Sequence, residues 1–219
     1  MIDETTEIGA VIEQGLSPKV EINSVAIFGS ADLEQSDAVC VAAGEAARRL
    51  AERGYTIVNG GGPGVMQAAT AGAEAVGGKT LTVTYAPENA PHFEGTASDN
   101  QADETLQAKT YVERIGMLIA KADAFVVFKG GTGTISEWGL IWLLAHIYYG
   151  QHKPFILYGD FWFEVVGMVQ KHFLIEEVEM KVFRIVNSTE EMLSALDELQ
   201  SAKQELQDNP PSEMPEPAL

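Results

Sequence analysis

Cysteine occurs once in the 219 residues, at Cys40. One thiol excludes an intrachain disulfide framework and a cysteine-based zinc site, and Cys40 is read as a packing residue in a helix. The four histidines, His92, His146, His152 and His172, show no zinc-motif spacing, so no metal is expected. Cations are scarce: 14 Lys and Arg face 32 Asp and Glu, a net charge of −18. Residues 1–23 and 201–219 account for −7 of this, which leaves −11 on the remainder. A surface so poor in basic groups disfavours a nucleic-acid polymer, whose binding draws on release of phosphate counterions. A small anion remains compatible, since a few backbone N–H groups and one arginine hold it locally. No apolar run approaches the roughly 20 residues of a membrane span, and the start of the chain is acidic where a signal peptide is basic. The expectation is a cytoplasmic protein without a membrane partner.

What is present is a chain with 46% apolar residues, long enough to bury one substantial core. Residues 1–23 lack a sustained period and read as an N-terminal arm with a short helix around residues 7–14. Residues 207–219, rich in proline, read as a disordered tail. Between them, over 24–206, short β-branched runs alternate with helical periodicity. Strands are expected at 24–30, 55–58, 79–85, 125–128, 154–158 and 183–186. Helices are expected at 37–53, 65–76, 105–121, 134–149, 161–173 and 189–206, the last opened by the capping-box pattern Ser188-x-x-Glu191. Such alternation makes a single α/β domain, a Rossmann-like, doubly wound parallel sheet with helices on both faces. Residues 86–104 form a connection long enough to suggest a lid or binding loop. His92 and Phe93 lie in it, and surface placement is expected for both.

Three glycine-bearing loops follow strands: Gly29-Ser30, Gly60-Gly61-Gly62-Pro63-Gly64, and Gly130-Gly131-Thr132-Gly133-Thr134. The third is neither a Walker A loop nor the Gly-x-Gly-x-x-Gly fingerprint. In parallel sheets ligands sit beyond the carboxyl ends of the strands, so the three loops are expected around one crevice. A strand, a glycine turn and a helix start direct several N–H groups and a helix dipole into one space, which favours a phosphate.

Two motifs, Gly60-Gly61-Gly62-Pro63-Gly64-Val65-Met66 and Gly130-Gly131-Thr132-Gly133-Thr134-Ile135-Ser136-Glu137, with Arg114 on the helix between them, resemble the Lonely Guy (LOG) family of cytokinin riboside 5'-monophosphate phosphoribohydrolases. Many members of that family once carried the label lysine decarboxylase. The resemblance runs from about residue 25 to 199. It implies a Rossmann-like fold, a homodimer or higher homo-oligomer, no cofactor, and hydrolysis of the N-glycosidic bond of a nucleoside 5'-monophosphate to free base and ribose 5-phosphate. Two positions depart from the family pattern. Lys129 stands where Pro-Gly-Gly normally begins, and Ile115 follows Arg114 where the family has lysine.

Cleaving that bond develops positive charge on the ribose and brings water to C1'. Glu137 is the candidate catalytic carboxylate; the competing reading makes it the partner of Thr134 in a capping box. Arg114 is the candidate catalytic cation for phosphate or ribose, or else it pairs with Glu113 on a solvated face. The substrate and phosphate site is assigned to Gly29, Ser30, Gly60, Gly61, Gly62, Gly64, Met66, Lys129, Gly130, Gly131, Thr132, Gly133 and Thr134, with close approach of a ligand as the reason for the glycines. Trp138, Ile141, Trp142, Leu144, Ala145, Tyr148 and Tyr149 make their helix apolar on more than one face, and the surplus is expected to meet another subunit. The alternative function is a non-catalytic nucleotide-binding or molybdenum-cofactor-carrier-like protein of the same fold. A decarboxylase is poorly supported, because no pyridoxal phosphate lysine signature is present.

Overall fold

The computed structural model describes residues 21–88, 93 and 95–208. The expected short helix around 7–14, His92 and the tail from 209 onward lie outside the described residues.

Seven strands form one parallel sheet in the order β4-β3-β2-β1-β5-β6-β7. They are β1 (Ser24–Phe28), β2 (Thr56–Asn59), β3 (Thr80–Tyr85), β4 (Glu104–Ala108), β5 (Ala124–Val127), β6 (Phe155–Tyr158) and β7 (Phe183–Val186). Among the described residues six α-helices connect and follow them: α1 (Ala38–Glu52), α2 (Val65–Glu74), α3 (Tyr111–Lys121), α4 (Thr132–Ile147), α5 (Phe161–His172) and α6 (Thr189–Asp208). Successive residues of a strand face opposite sides of the sheet. Val25 and Ile27 of β1 therefore join a core with α1, α2 and α6, while Ala26 and Phe28 join a second core with α3, α4 and α5. Both faces are covered, as the uninterrupted apolar strands require.

The chain steps outward from β1 to the β4 edge and then returns to place β5 against the other side of β1. The loops that leave β1 and β5 consequently diverge to opposite faces. A crevice opens between them, the usual ligand position of such sheets.

One segment departs from its expected structure. The predicted helix over 105–121 is a strand followed by a shorter helix. Glu104–Ala108 pairs with β3 in register from Leu81↔Glu104 to Tyr85↔Ala108, and the Thr82 and Thr105 hydroxyls meet at 3.0 Å. As an edge strand that is largely exposed, it lacks the apolar run that marks its neighbours. Helix α3 starts only after Thr110, whose Oγ1 accepts the Glu113 N–H at 3.1 Å, while the Glu113 carboxylate accepts the Lys109 N–H at 2.7 Å. This side-chain pair is the start signal that periodicity alone passed over.

The core part of the apolar helix α4 includes both of its tryptophans. Trp138 stacks on Trp142 at 5.2 Å and meets Trp162 at 4.9 Å, and Trp142 meets Phe183 at 5.6 Å. The exposed apolar stripe of α4 consists of Ile135, Leu143 and Ile147, each more than half exposed, with Tyr148 and Tyr149 beyond the helix end. Far from the crevice, His152 is buried and accepts the Gly150 N–H at Nδ1, 3.2 Å away, with its ring stacked on Tyr149. Burial, and secondarily the Lys203 charge, lower its pKa to about 4.

Candidate active site

Phe28, Gly29, Ser30, Ala31 and Asp32 line one side of the crevice, with Gly131, Thr132, Gly133, Thr134 and Glu137 on the other. Met66, Tyr111 and Arg114 complete a cleft of about 690 Å³ including its open mouth. The loop after β1 and the loop after β5 are tied together where they begin, since the Ser30 N–H donates to the Lys129 carbonyl at 3.0 Å.

Helix α4 begins at Thr132, with Gly131 as an N-cap that supplies no side-chain hydrogen bond. The N–H groups of an uncapped first turn seek an external acceptor, and the dipole favours an anion there. This start also corrects the expected one at Thr134. Thr134 lies inside the first turn and Glu137 inside the second, so the two do not form a capping box. Glu137 is 8% exposed and faces the cleft.

Arg114 is 2% exposed, which removes the reading of a solvated face paired with Glu113. Its Nε donates to the Val83 carbonyl at 3.1 Å and its Nη2 to the Gly60 carbonyl at 2.9 Å. One planar guanidinium thereby joins α3, the end of β3 and the glycine loop, a geometry suited to its fixed fork of donors.

The glycine loop of residues 60–64 underlies the cleft instead of lining it. A Cβ at Gly60 would fall 2.0 Å from Arg114 Nη2, one at Gly61 2.8 Å from Thr84 Cγ2, and one at Gly64 2.3 Å from the Ser30 carbonyl. Gly61 and Gly64 also hold positive φ, +71° and +63°. The close approach expected of a ligand is thus made by other parts of the protein. Gly62 offers its carbonyl to Asn100 Nδ2 at 2.8 Å, and Gly130 leaves room for the Thr134 hydroxyl, which a Cβ would approach to 2.1 Å. The Lys129 side chain is exposed and not part of the cleft wall; its ammonium lies over the Phe161 ring, 6.0 Å from the centroid.

Sequence reasoning missed Tyr111, Asp32 and the placement of Phe93. Tyr111 sits one helical turn before Arg114, a spacing that becomes informative once the helix start is known. Phe93 is half-buried, in contrast to the surface position expected for it.

The family model described as "Possible lysine decarboxylase" matches residues 66–196, which include Arg114 and the whole of the second motif. The chain belongs to the Lonely Guy family. Among LOG relatives, the cytokinin riboside 5'-monophosphate phosphoribohydrolase of Mycobacterium tuberculosis is 32% identical over 157 residues, 70% of this chain and 80% of that protein. Its counterpart in Mycobacterium marinum is 34% identical over 127 residues, 58% of this chain and 65% of that protein. Solved structures share the LOG fold at lower identity. The molybdenum cofactor binding protein of Rippkaea orientalis gives a TM-score of 0.61 at 20% identity, covering 83% of this chain and 99% of that one. The Moco carrier protein of Chlamydomonas reinhardtii gives 0.60 at 19% identity, again over 83% and 99%. Among the described residues no group of His, Cys, Asp or Glu is arranged to hold a metal ion, and no helix is long and apolar enough to cross a membrane.

Proposed function

We propose that this LOG protein hydrolyses the N-glycosidic bond of a nucleoside 5'-monophosphate of the AMP or cytokinin riboside class. The observation that carries the reading is the presence of Glu137, Arg114 and the open first turn of α4 on one cleft. The 5'-phosphate rests on the N–H groups of Gly131–Thr134 and on Ser30, where backbone donors and the helix dipole neutralise it. The ribose then lies toward Glu137. As the bond from C1' to the base nitrogen breaks, the electron pair leaves with the base and positive charge grows on the ribose ring. The Glu137 carboxylate offsets that charge and accepts the proton of the water that attacks C1'; a proton reaches the departing base nitrogen, and Glu137 releases its own to return to the carboxylate. Arg114 fixes the floor of the cleft and contributes the positive field that favours the phosphorylated substrate. The relatives named as phosphoribohydrolases support this chemistry.

A second copy of the chain covers the Ile135, Leu143 and Ile147 stripe in this reading. The stripe starts at the residue after Thr134, so the partner borders the mouth of the cleft. The test of the reaction is incubation of the purified protein with a panel of nucleoside 5'-monophosphates and the matching nucleosides. Free base and ribose 5-phosphate are expected from a monophosphate, with little release from its nucleoside. Equal rates on both remove the phosphate site, and binding without release favours a carrier.

A further inference from the structure

The guanidinium of Arg114 rests against two adjacent aromatic rings that the reaction as described does not use. Phe93 and Tyr111 approach its Cζ to 5.7 and 5.6 Å from their ring centroids. They meet each other edge-on at 6.4 Å, and Tyr85 supports both, at 5.6 Å from Phe93 and 6.3 Å from Tyr111. Tyr111 and Arg114 come from α3 and Tyr85 from β3, whereas Phe93 is brought from the connection between β3 and β4.

Ala97 and Asn100 of that connection are pinned to the glycine loop beside Arg114. The Ala97 N–H donates to the Gly61 carbonyl at 3.1 Å, and the buried Asn100 donates from Nδ2 to the Gly62 carbonyl at 2.8 Å. Gly60 of the same loop accepts Arg114 Nη2. The glycine loop is therefore one platform that fixes both the cation and the segment whose aromatic ring covers it.

We propose that Phe93 is a positioning residue for Arg114, acting with Tyr111 as one wall of an aromatic corner against which the guanidinium rests. The carbonyls of Val83 and Gly60 fix the guanidinium at its edge, where its N–H groups point. Aromatic rings carry negative charge on their faces, so they stabilise a cation without hydrating it. A dehydrated guanidinium at the cleft floor acts on an anionic substrate with little screening, and water admitted at the Phe93 position weakens that action. The inference rests on the proposed reaction only in giving the Arg114 charge a nucleotide to act on.

The test uses the full chain with Phe93→Ala, Phe93→Leu and Phe93→Tyr. Two quantities are read: hydrogen exchange of the Arg114 Nε–H by nitrogen-15 NMR, and KM and kcat for adenosine 5'-monophosphate. Phe93→Ala is expected to speed the exchange tenfold or more and to raise KM about tenfold with kcat within threefold of wild type. Phe93→Tyr keeps both near wild type. Phe93→Leu, which preserves bulk and so the fold, falls between them. Exchange unchanged in both Phe93→Ala and Phe93→Leu overturns the proposal, as does faster exchange with an unmoved KM. A wild type that releases no base overturns the proposed reaction instead; exchange then decides the role of Phe93 by itself, acceleration supporting it and an unchanged rate overturning it.

Discussion

Arg114 Nη2 lies 2.9 Å from the Gly60 carbonyl that accepts its hydrogen bond, and a methyl group on Gly60 would sit 2.0 Å from that same nitrogen. The two residues are 54 positions apart in the chain, and the guanidinium occupies the space that a side chain on Gly60 would fill. Gly60→Ala is therefore expected to expel the guanidinium and to lower kcat/KM for a nucleoside monophosphate at least tenfold, about 1.4 kcal/mol of transition-state stabilisation. Wild-type kinetics in this variant would separate Arg114 from the reaction.

The carbonyls of Val83 and Gly60 accept two directed bonds from Arg114. A lysine carries the same charge but lacks the fork that reaches both. Arg114→Lys should accordingly lose stability by about 1.5–3 kcal/mol, the range for hydrogen bonds to a charged group. Urea unfolding checks it. A midpoint equal to wild type would show that charge alone is needed there.

The stripe of Ile135, Leu143 and Ile147 is too apolar to favour water. Light scattering at micromolar concentration should give at least twice the 23.6 kDa chain mass, and Leu143→Glu should shift the protein toward a monomer. A monomeric wild type would leave the stripe without its inferred partner.

His152 supplies a pH dependence of stability. Its folded pKa of about 4 lies below the ordinary 6.5, so the unfolded chain takes up the proton first as pH falls. The stability that neutral burial contributes is complete above pH 6.5 and is lost on descending toward pH 4, a change on the order of 3 kcal/mol. Urea midpoints at pH 7.5 and 4.5 should therefore fall further in wild type than in His152→Gln. Parallel losses in the two proteins would assign the acid sensitivity to other groups.

The core of this fold is written in local patterns. Val25 to Phe28 and Phe125 to Val127 are short apolar runs, and each leads into glycines, so the central strands and the crevice between them were legible from the chain. β4 was not, because Glu104–Ala108 is an edge strand whose register with β3, and not its own apolarity, defines it. Within the site, the glycines were visible as glycines, but their reasons lie elsewhere in the chain: Arg114 for Gly60, Thr84 for Gly61 and the Ser30 carbonyl for Gly64. Thr134 and Glu137 imitate a helix start at capping-box spacing, and only the position of Gly131 as N-cap resolves that ambiguity. The meeting of Phe93 with Arg114 depends on how a long connection folds back, which no local period records.

The account stands most directly on the carboxylate of Glu137. Glu137→Gln keeps the size and much of the hydrogen bonding while removing the negative charge, and its position in the second turn of α4 takes it out of helix capping. Release of free base from a nucleoside 5'-monophosphate should fall about a hundredfold or more, the scale of a lost acid-base or electrostatic group, with nucleotide affinity retained. Base release at the wild-type rate by the Glu137→Gln protein would contradict the mechanism.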